Sequence, residues 1–225
     1  MINQTFAKLY KALDKDQLSF YNSIKTNIVT CCDAKAGTGK TTVAAMAAMD
    51  LLESDEVSKI IYLRFPDKMV QSLGAFPGEL KEKERYYMQP FIDACEEFDI
   101  PEEKLYRDYI DYDKVFMMTN VTLRGSNFKD AAIIIDEAQN ASFKDLKLVL
   151  TRIHDSCHCA LIGHVAQCDN KMDNKIESPF SMYIDHLSKK SWAKTIHLKN
   201  NYRGEVSTWA DSLMLTDKGY VVDRG

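Results

Sequence analysis

Ala34-Lys-Ala-Gly-Thr-Gly-Lys40-Thr41-Thr42 decides the reading of this chain. An apolar, β-rich run from Asn27 to Cys32 precedes it, and an Ala- and Met-rich stretch from Thr41 to Leu52 follows. A glycine-rich turn between a strand and a helix N-terminus is where backbone N–H groups converge on phosphate. Gly37 and Gly39 free the backbone to turn with those N–H groups inward. Lys40 has the reach for the β- and γ-phosphates of a nucleotide, and the Thr41 hydroxyl suits magnesium. Ala34, Lys35, Ala36, Gly37, Thr38, Gly39, Lys40, Thr41 and Thr42 are therefore expected to cradle ATP. Ala34 occupies the usual first-glycine position, which suits a backbone at negative φ. A glycine-rich helix start with no ligand is the bland alternative, and the downstream motifs weigh against it.

Ala131-Ala-Ile-Ile-Ile-Asp136-Glu137-Ala-Gln-Asn140 is an apolar strand that ends in two carboxylates. Asp136 is expected in the magnesium shell, and Glu137 is expected to face the attacking water as a base. Their structural alternative is an N-cap and a first-turn acid for the next helix. In Cys159-Ala-Leu-Ile-Gly163-His164-Val-Ala-Gln167-Cys-Asp169 a further apolar run ends in glycine, and Gln167 follows where it could orient water or sense the γ-phosphate. A turn cap or a solvated side chain is the other reading of Gln167.

Further short β-rich runs lie at Lys59 to Phe65, Val115 to Thr119 and Lys194 to Leu198, and a fourth at Cys157 to Gly163. Phe143 to Ile153 and Val206 to Leu215 repeat apolar residues at helical spacing. Strand and helix alternate, so the pattern predicts a three-layer α/β fold: a mainly parallel sheet with helices on both faces. Gly74 to Asp113 breaks the rhythm with three prolines, aromatic residues and excess acid, and reads as a helical insertion. Residues 79–113 carry 12 acidic and 5 basic side chains, whereas the formal charge of all 225 residues is only −4. Any partner with a phosphate backbone must therefore meet a local basic patch.

An apolar share of 45% in 225 residues supports one core, hence a single domain over 1–225. No apolar run approaches the roughly 18 residues of a membrane span, and Met1 to Tyr10 lacks the apolar centre of a secretory signal. The expectation is a cytoplasmic chain whose six cysteines are buried and reduced. His154, Cys157, His158, Cys159, His164 and Cys168 invite a zinc reading. Strand geometry argues against it, because Cys157 and Cys159 share one face, His158 takes the other, and no pair of CxxC knuckles is present.

Leu63-Arg64-Phe-Pro66, Leu73-Gly-Ala-Phe-Pro-Gly78-Glu-Leu, Arg124-Gly125, Asp136-Glu-Ala-Gln-Asn140 and Leu150-Thr-Arg152 resemble, in order and spacing, the PhoH-like family, over nearly the whole chain. That resemblance implies a P-loop ATPase like the first RecA-like domain of superfamily-one helicases. By the same similarity, His197-Leu-Lys-Asn-Asn201-Tyr202-Arg203 resembles a motif whose arginine approaches the γ-phosphate, which assigns transition-state charge to Arg203. Gln17, before the first strand, corresponds to the adenine-reading glutamine of those helicases. A surface ion pair for Arg203 and a solvated helix position for Gln17 are the alternatives. His164 departs from the aspartate common after the glycine of the third motif.

The resemblance further implies RNA or single-stranded DNA as partner. Arg64, Lys68, Arg124, Lys129, Lys144, Lys147 and Arg152, with Phe65, Phe128 and Phe143, are the candidate contacts. A homo-oligomer, on family analogy a hexamer, would let a neighbouring copy complete the site. Three readings follow: a nucleic-acid-stimulated ATPase, a nucleotide-gated binding module with negligible turnover, and a small-molecule phosphotransferase, the last disfavoured by the water-activating acid pair.

Overall fold

The computed structural model describes residues 6–65, 80–118, 127–165, 179–215 and 221–223. Strands β1 (Val29–Ala34), β2 (Lys59–Arg64), β3 (Val115–Met118), β4 (Ala131–Asp136), β5 (His158–Gly163) and β6 (Ala193–Leu198) form one sheet in the order β3-β2-β4-β5-β1-β6. Every pairing in it is parallel. Parallel strands are covered on both faces, so their sequences run apolar without alternation. β4 shows this most plainly, with all six of its residues buried.

Successive side chains still point to opposite faces, and two cores result. Cys32, Tyr62, Ile134 and Ile162 belong to the first core, with α2 (Lys15–Thr26), α3 (Lys40–Glu53) and α4 (Leu80–Glu96). Cys31, Leu63, Ile135 and Leu161 belong to the second, with α6 (Phe143–Leu150) and α7 (Pro179–Leu187). The short helices α1 (Ala7–Ala12) and α5 (Glu102–Leu105) and the later α8 (Glu205–Ser212) complete the α-helices among the described residues, beside a π-helical turn at Tyr106–Ile110 and a 3-10 turn at Ala138–Asn140.

α3 is buried on every side from Val43 to Leu52, and its alanines let neighbours approach closely. Asp50 lies within that run, so its charge requires partners. It accepts the Tyr21 hydroxyl at 2.5 Å and pairs with Lys25, which ties α2 to α3. α2 itself begins with a capping box absent from the sequence reading above. Asp14 accepts the Gln17 N–H at 2.8 Å, and the Gln17 side chain accepts the Asp14 N–H at 3.1 Å.

The acidic segment joins β2 to β3. Phe91, Ile92, Ala94 and Cys95 of α4 are buried in the first core, while Asp93, Glu96 and Glu97 stay outside. Asp93 and Glu96 thus mark the solvent face of a helix whose other face is core. At the C-terminus the expected helix from Val206 to Leu215 ends at Ser212. Leu213–Leu215 (β7) instead pairs antiparallel with Val221–Asp223 (β8). Similarly α6 stops at Leu150, and Ile153 bridges Phe128. No helix among the described residues is long and apolar enough to cross a membrane.

Candidate functional site

β5 separates β1 from β4, so the chain leaving β1 and the carboxylates ending β4 stand about 10 Å apart, two strand spacings. Ligands of such sheets bind in a crevice outside the carboxyl ends of the strands. A cleft of about 830 Å³ lies there. Its floor is the glycine-rich loop, with Lys40, Thr41 and Thr42 opening α3; Asp136, Glu137 and Arg64 form one wall. Leu9, Leu13 and Gln17 border it on the N-terminal side, and Tyr202 and Arg203 border it from the segment after β6.

Gly37 and Gly39 have φ of +78° and +77°, which a side chain would oppose. Gly37 has a second reason to be glycine. A Cβ there would overlap Asn201 Oδ1 and lie 2.9 Å from Arg203 Cγ, so its bareness admits the later segment. Tyr202 N–H donates to the Gly37 carbonyl at 2.7 Å, and Gln17 Nε2 donates to the Thr38 carbonyl at 3.0 Å. Asp14 closes the ring, accepting the Tyr202 hydroxyl at 2.5 Å and the Asn200 amide at 2.8 Å. Burial opposes ionisation of Asp14, but these donors together with the Gln17 N–H hold its pKa below the usual value. Within the loop the Thr38 hydroxyl donates to the Lys35 carbonyl at 3.0 Å, and Lys40 Nζ lies 3.4 Å from the same oxygen. Ala34 closes β1 in extended conformation, so its Cβ meets no conformational obstacle.

Across the cleft Asp136 is only 2% exposed. Burial and then the Glu137 charge push its pKa up; the Tyr62 hydroxyl, donating at 2.6 Å, and the charges of Arg64 and Lys40 pull the other way. Glu137 takes a left-handed backbone, φ +53° and ψ +41°, which is costly for a side-chain-bearing residue. Its carboxylate accepts from Gln139 Nε2 at 2.5 Å, and Gln139 Oε1 accepts the His164 N–H at 3.1 Å. A Cβ on Gly163 would come within 2.5 Å of that same Gln139 oxygen, so the glycine closing β5 makes room for the amide that holds Glu137. A buried carboxylate with a lysine and a threonine hydroxyl on the same cleft suits a magnesium-bound polyphosphate.

The structure therefore brings Lys40, Thr41, Thr42, Asp136, Glu137 and Arg203 to one cleft. Gln167 and Cys168 lie outside the described residues, as do Lys68, Arg124 and the Leu73–Leu80 motif except for the backbone of its last residue. Gln17 borders the cleft but spends its amide on Asp14 and the loop, a bracing role beside the expected adenine contact. The described basic residues offered for nucleic acid do not all lie at the cleft end of the sheet. Lys129 precedes β4 and the Arg152 carbonyl accepts the Phe128 N–H, both at the end of the strands opposite the cleft, whereas Lys144 lies at the start of α6, shortly after the acid pair. Phe65 and Phe128 are buried in the second core, so of the three named phenylalanines only Phe143 is exposed, stacked on Tyr183 at 5.3 Å. Cys157 and Cys159 are buried with raised thiol pKa values, burial being the leading cause, while His158 Nδ1 lies 2.9 Å from the Ile24 carbonyl. Tyr62, Gln139 and Asp14 had no role in the sequence reading. Only the Asp14-to-Gln17 capping spacing could have flagged one of them.

The family described as PhoH-like protein matches residues 10–212. A PhoH-like protein of Synechocystis sp. is 33% identical over 153 residues, covering 68% of this chain and 46% of that protein. One from Bacillus subtilis is 33% identical over 156 residues, covering 68% and 47%. The chain thus spans about half the length of the curated relatives it matches. Among solved structures, the Pyrococcus furiosus Hef helicase domain aligns with TM-score 0.51 and 16% identity, over 90% of this chain and 41% of that one. The large terminase of a thermophilic bacteriophage aligns with TM-score 0.54 and 12% identity, over 88% and 48%. These two likenesses show the fold alone, a RecA-like three-layer α/β domain.

Proposed function

The chain belongs to the PhoH-like protein family, and from that premise we propose that it binds ATP with magnesium in the cleft and hydrolyses it, coupled to RNA or single-stranded DNA. The observation that carries this reading is the meeting of Lys40, Thr41, Asp136, Glu137 and Arg203, drawn from three separate strand ends, around one cleft. Magnesium would be held by Thr41 and Asp136 and would neutralise charge on the polyphosphate. The loop N–H groups and Lys40 bind the polyphosphate. Glu137, held by Gln139, accepts the water proton as the water oxygen bonds to the γ-phosphorus. The bond from that phosphorus to the bridging oxygen breaks, and its electron pair leaves on ADP. Arg203 takes up charge on the transferred group, and Gln167 orients the water.

A bound ADP in another crystal form of the same phage terminase supports the nucleotide reading by analogy of fold. Nucleic-acid coupling rests on the helicase-like fold and on the exposed Phe143 beside Lys144. A hexamer, or another homo-oligomer, rests on family analogy alone, and light scattering with and without nucleotide tests it. The test of the central reading is phosphate release from ATP and magnesium, with and without single-stranded RNA or DNA. It compares the wild type with Lys40→Ala and Glu137→Gln. Turnover that nucleic acid raises and both substitutions abolish supports the reading. A wild type that binds ATP without turnover under all these conditions leaves the nucleotide-gated module as the better description.

A further inference from the structure

Arg64 closes β2 in register with Asp136 of β4, so the two side chains are lateral neighbours at the catalytic edge. Its side chain lines the cleft instead of joining an outer basic surface. Its Nη2 lies 4.0 Å from Glu137 Oε1, an ion-pair distance beyond hydrogen-bond reach. Its Nε is buried with no hydrogen-bond partner. The anions beside it are already served by others. Tyr62 donates to Asp136 Oδ2, and Gln139 donates to Glu137 Oε2. Native structures rarely leave a buried charged donor unmet, because the lost solvation is not recovered. The unmet donor here belongs to a planar fork suited to phosphate oxygens.

We infer that Arg64 is a further catalytic residue, donating to the equatorial oxygens of the γ-phosphoryl group during its transfer to water. The inference rests on the hydrolytic reading of the cleft. In that step the water oxygen bonds to phosphorus while the bridging P–O bond breaks onto ADP, and the proton goes to Glu137. Negative charge spreads over the three equatorial oxygens as this happens. Lys40 approaches from the loop and Arg203 from the segment after β6; Arg64 approaches from the side of the water-activating carboxylate. Its interaction with Glu137 across 4.0 Å holds the fork at that position until the phosphate arrives.

The discriminating measurement is the affinity of a fluorescent ADP analogue, with magnesium and saturating single-stranded RNA, before and after adding aluminium fluoride. Aluminium fluoride beside ADP imitates the transferred phosphoryl group, so tightening reports transition-state contacts. Arg64→Ala should bind the ADP analogue within about threefold of wild type, which also verifies its fold, and lose the fluoride-dependent tightening by about 100-fold or more. Arg64→Lys should recover only part of that loss, because a point charge cannot reproduce the fork. Tightening within about threefold of wild type in both variants overturns the inference, and a simultaneous fall in RNA affinity would move Arg64 to the strand-binding surface. A wild type that shows no fluoride-dependent tightening overturns the hydrolytic reading itself, and the role of Arg64 with it.

Discussion

On one wall of the cleft the polar groups are matched: Gln17 holds the Thr38 carbonyl, Tyr202 holds the Gly37 carbonyl, and Asp14 holds Tyr202, Asn200 and the start of α2. On the other wall Glu137 takes a left-handed backbone, Asp136 is a buried carboxylate with raised pKa, and the Arg64 Nε has no acceptor. The first wall is a brace that fixes the glycine-rich loop. The second concentrates strain and buried charge, which ligand charges relieve and which persist only because the surrounding sheet holds them. The contrast teaches that bracing and buried charge are assigned to opposite sides of one cleft, so under the proposed hydrolysis substitutions on the two walls should separate stability from turnover.

Glu137→Gln should give the largest effect on chemistry, lowering turnover by roughly 10² to 10⁴ while nucleotide affinity stays within about threefold. Steady-state phosphate release with parallel nucleotide titration checks it, and equal losses in both quantities would erase the distinction between the walls. Gly37→Ala attacks the brace. The strained φ and the overlap with Asn201 and Arg203 should cost on the order of 1–3 kcal/mol in urea unfolding and weaken nucleotide binding as well.

Proton linkage sharpens the acidic side. The folded chain holds the Asp136 proton more tightly than the unfolded chain does. This group therefore favours folding below its unfolded pKa, and that contribution disappears as pH rises through the folded value. Magnesium compensates the ionised carboxylate, so the increase in Tm on adding magnesium and nucleotide should be larger at pH 8 than at pH 5.5. A scanning-calorimetry series that shows no such trend, or its reverse, counts against Asp136 as the ligand. The smallest expected effect is a gain. Glu137→Gly removes the left-handed strain and should raise stability by roughly 1 kcal/mol, about 2–4 °C in Tm, while abolishing turnover.

Parallel strands buried on both faces must be continuous apolar runs, so most strands are legible to within a residue at each end, whereas β1, expected over Asn27 to Cys32, runs Val29–Ala34 because it continues through the polar Asp33. Ala131 to Asp136 was read with its observed bounds. The ends of amphipathic helices were read less well. Val206 to Leu215 repeats apolar residues at helical spacing, yet the backbone of Leu213–Leu215 pairs with Val221–Asp223, and local spacing cannot register a strand that arrives later. Arg64 was grouped with surface bases because a lone arginine after a strand carries no sign of which way it faces. Gln139 stands within the acid-pair motif with no local sign of its role, because that role depends on the bare Gly163 of another strand.

The sequence by itself determined the alternating architecture, the phosphate loop and the acid pair, since each is written in the spacing of neighbouring residues and in the backbone freedom of Gly37 and Gly39. Only the tertiary structure decided which distant groups meet there. Asp14 and Tyr202 stand 188 positions apart and share a hydrogen bond, and Arg64 joins Asp136 across a strand pair. Such contacts follow from strand order and burial, quantities that no local stretch of chain contains.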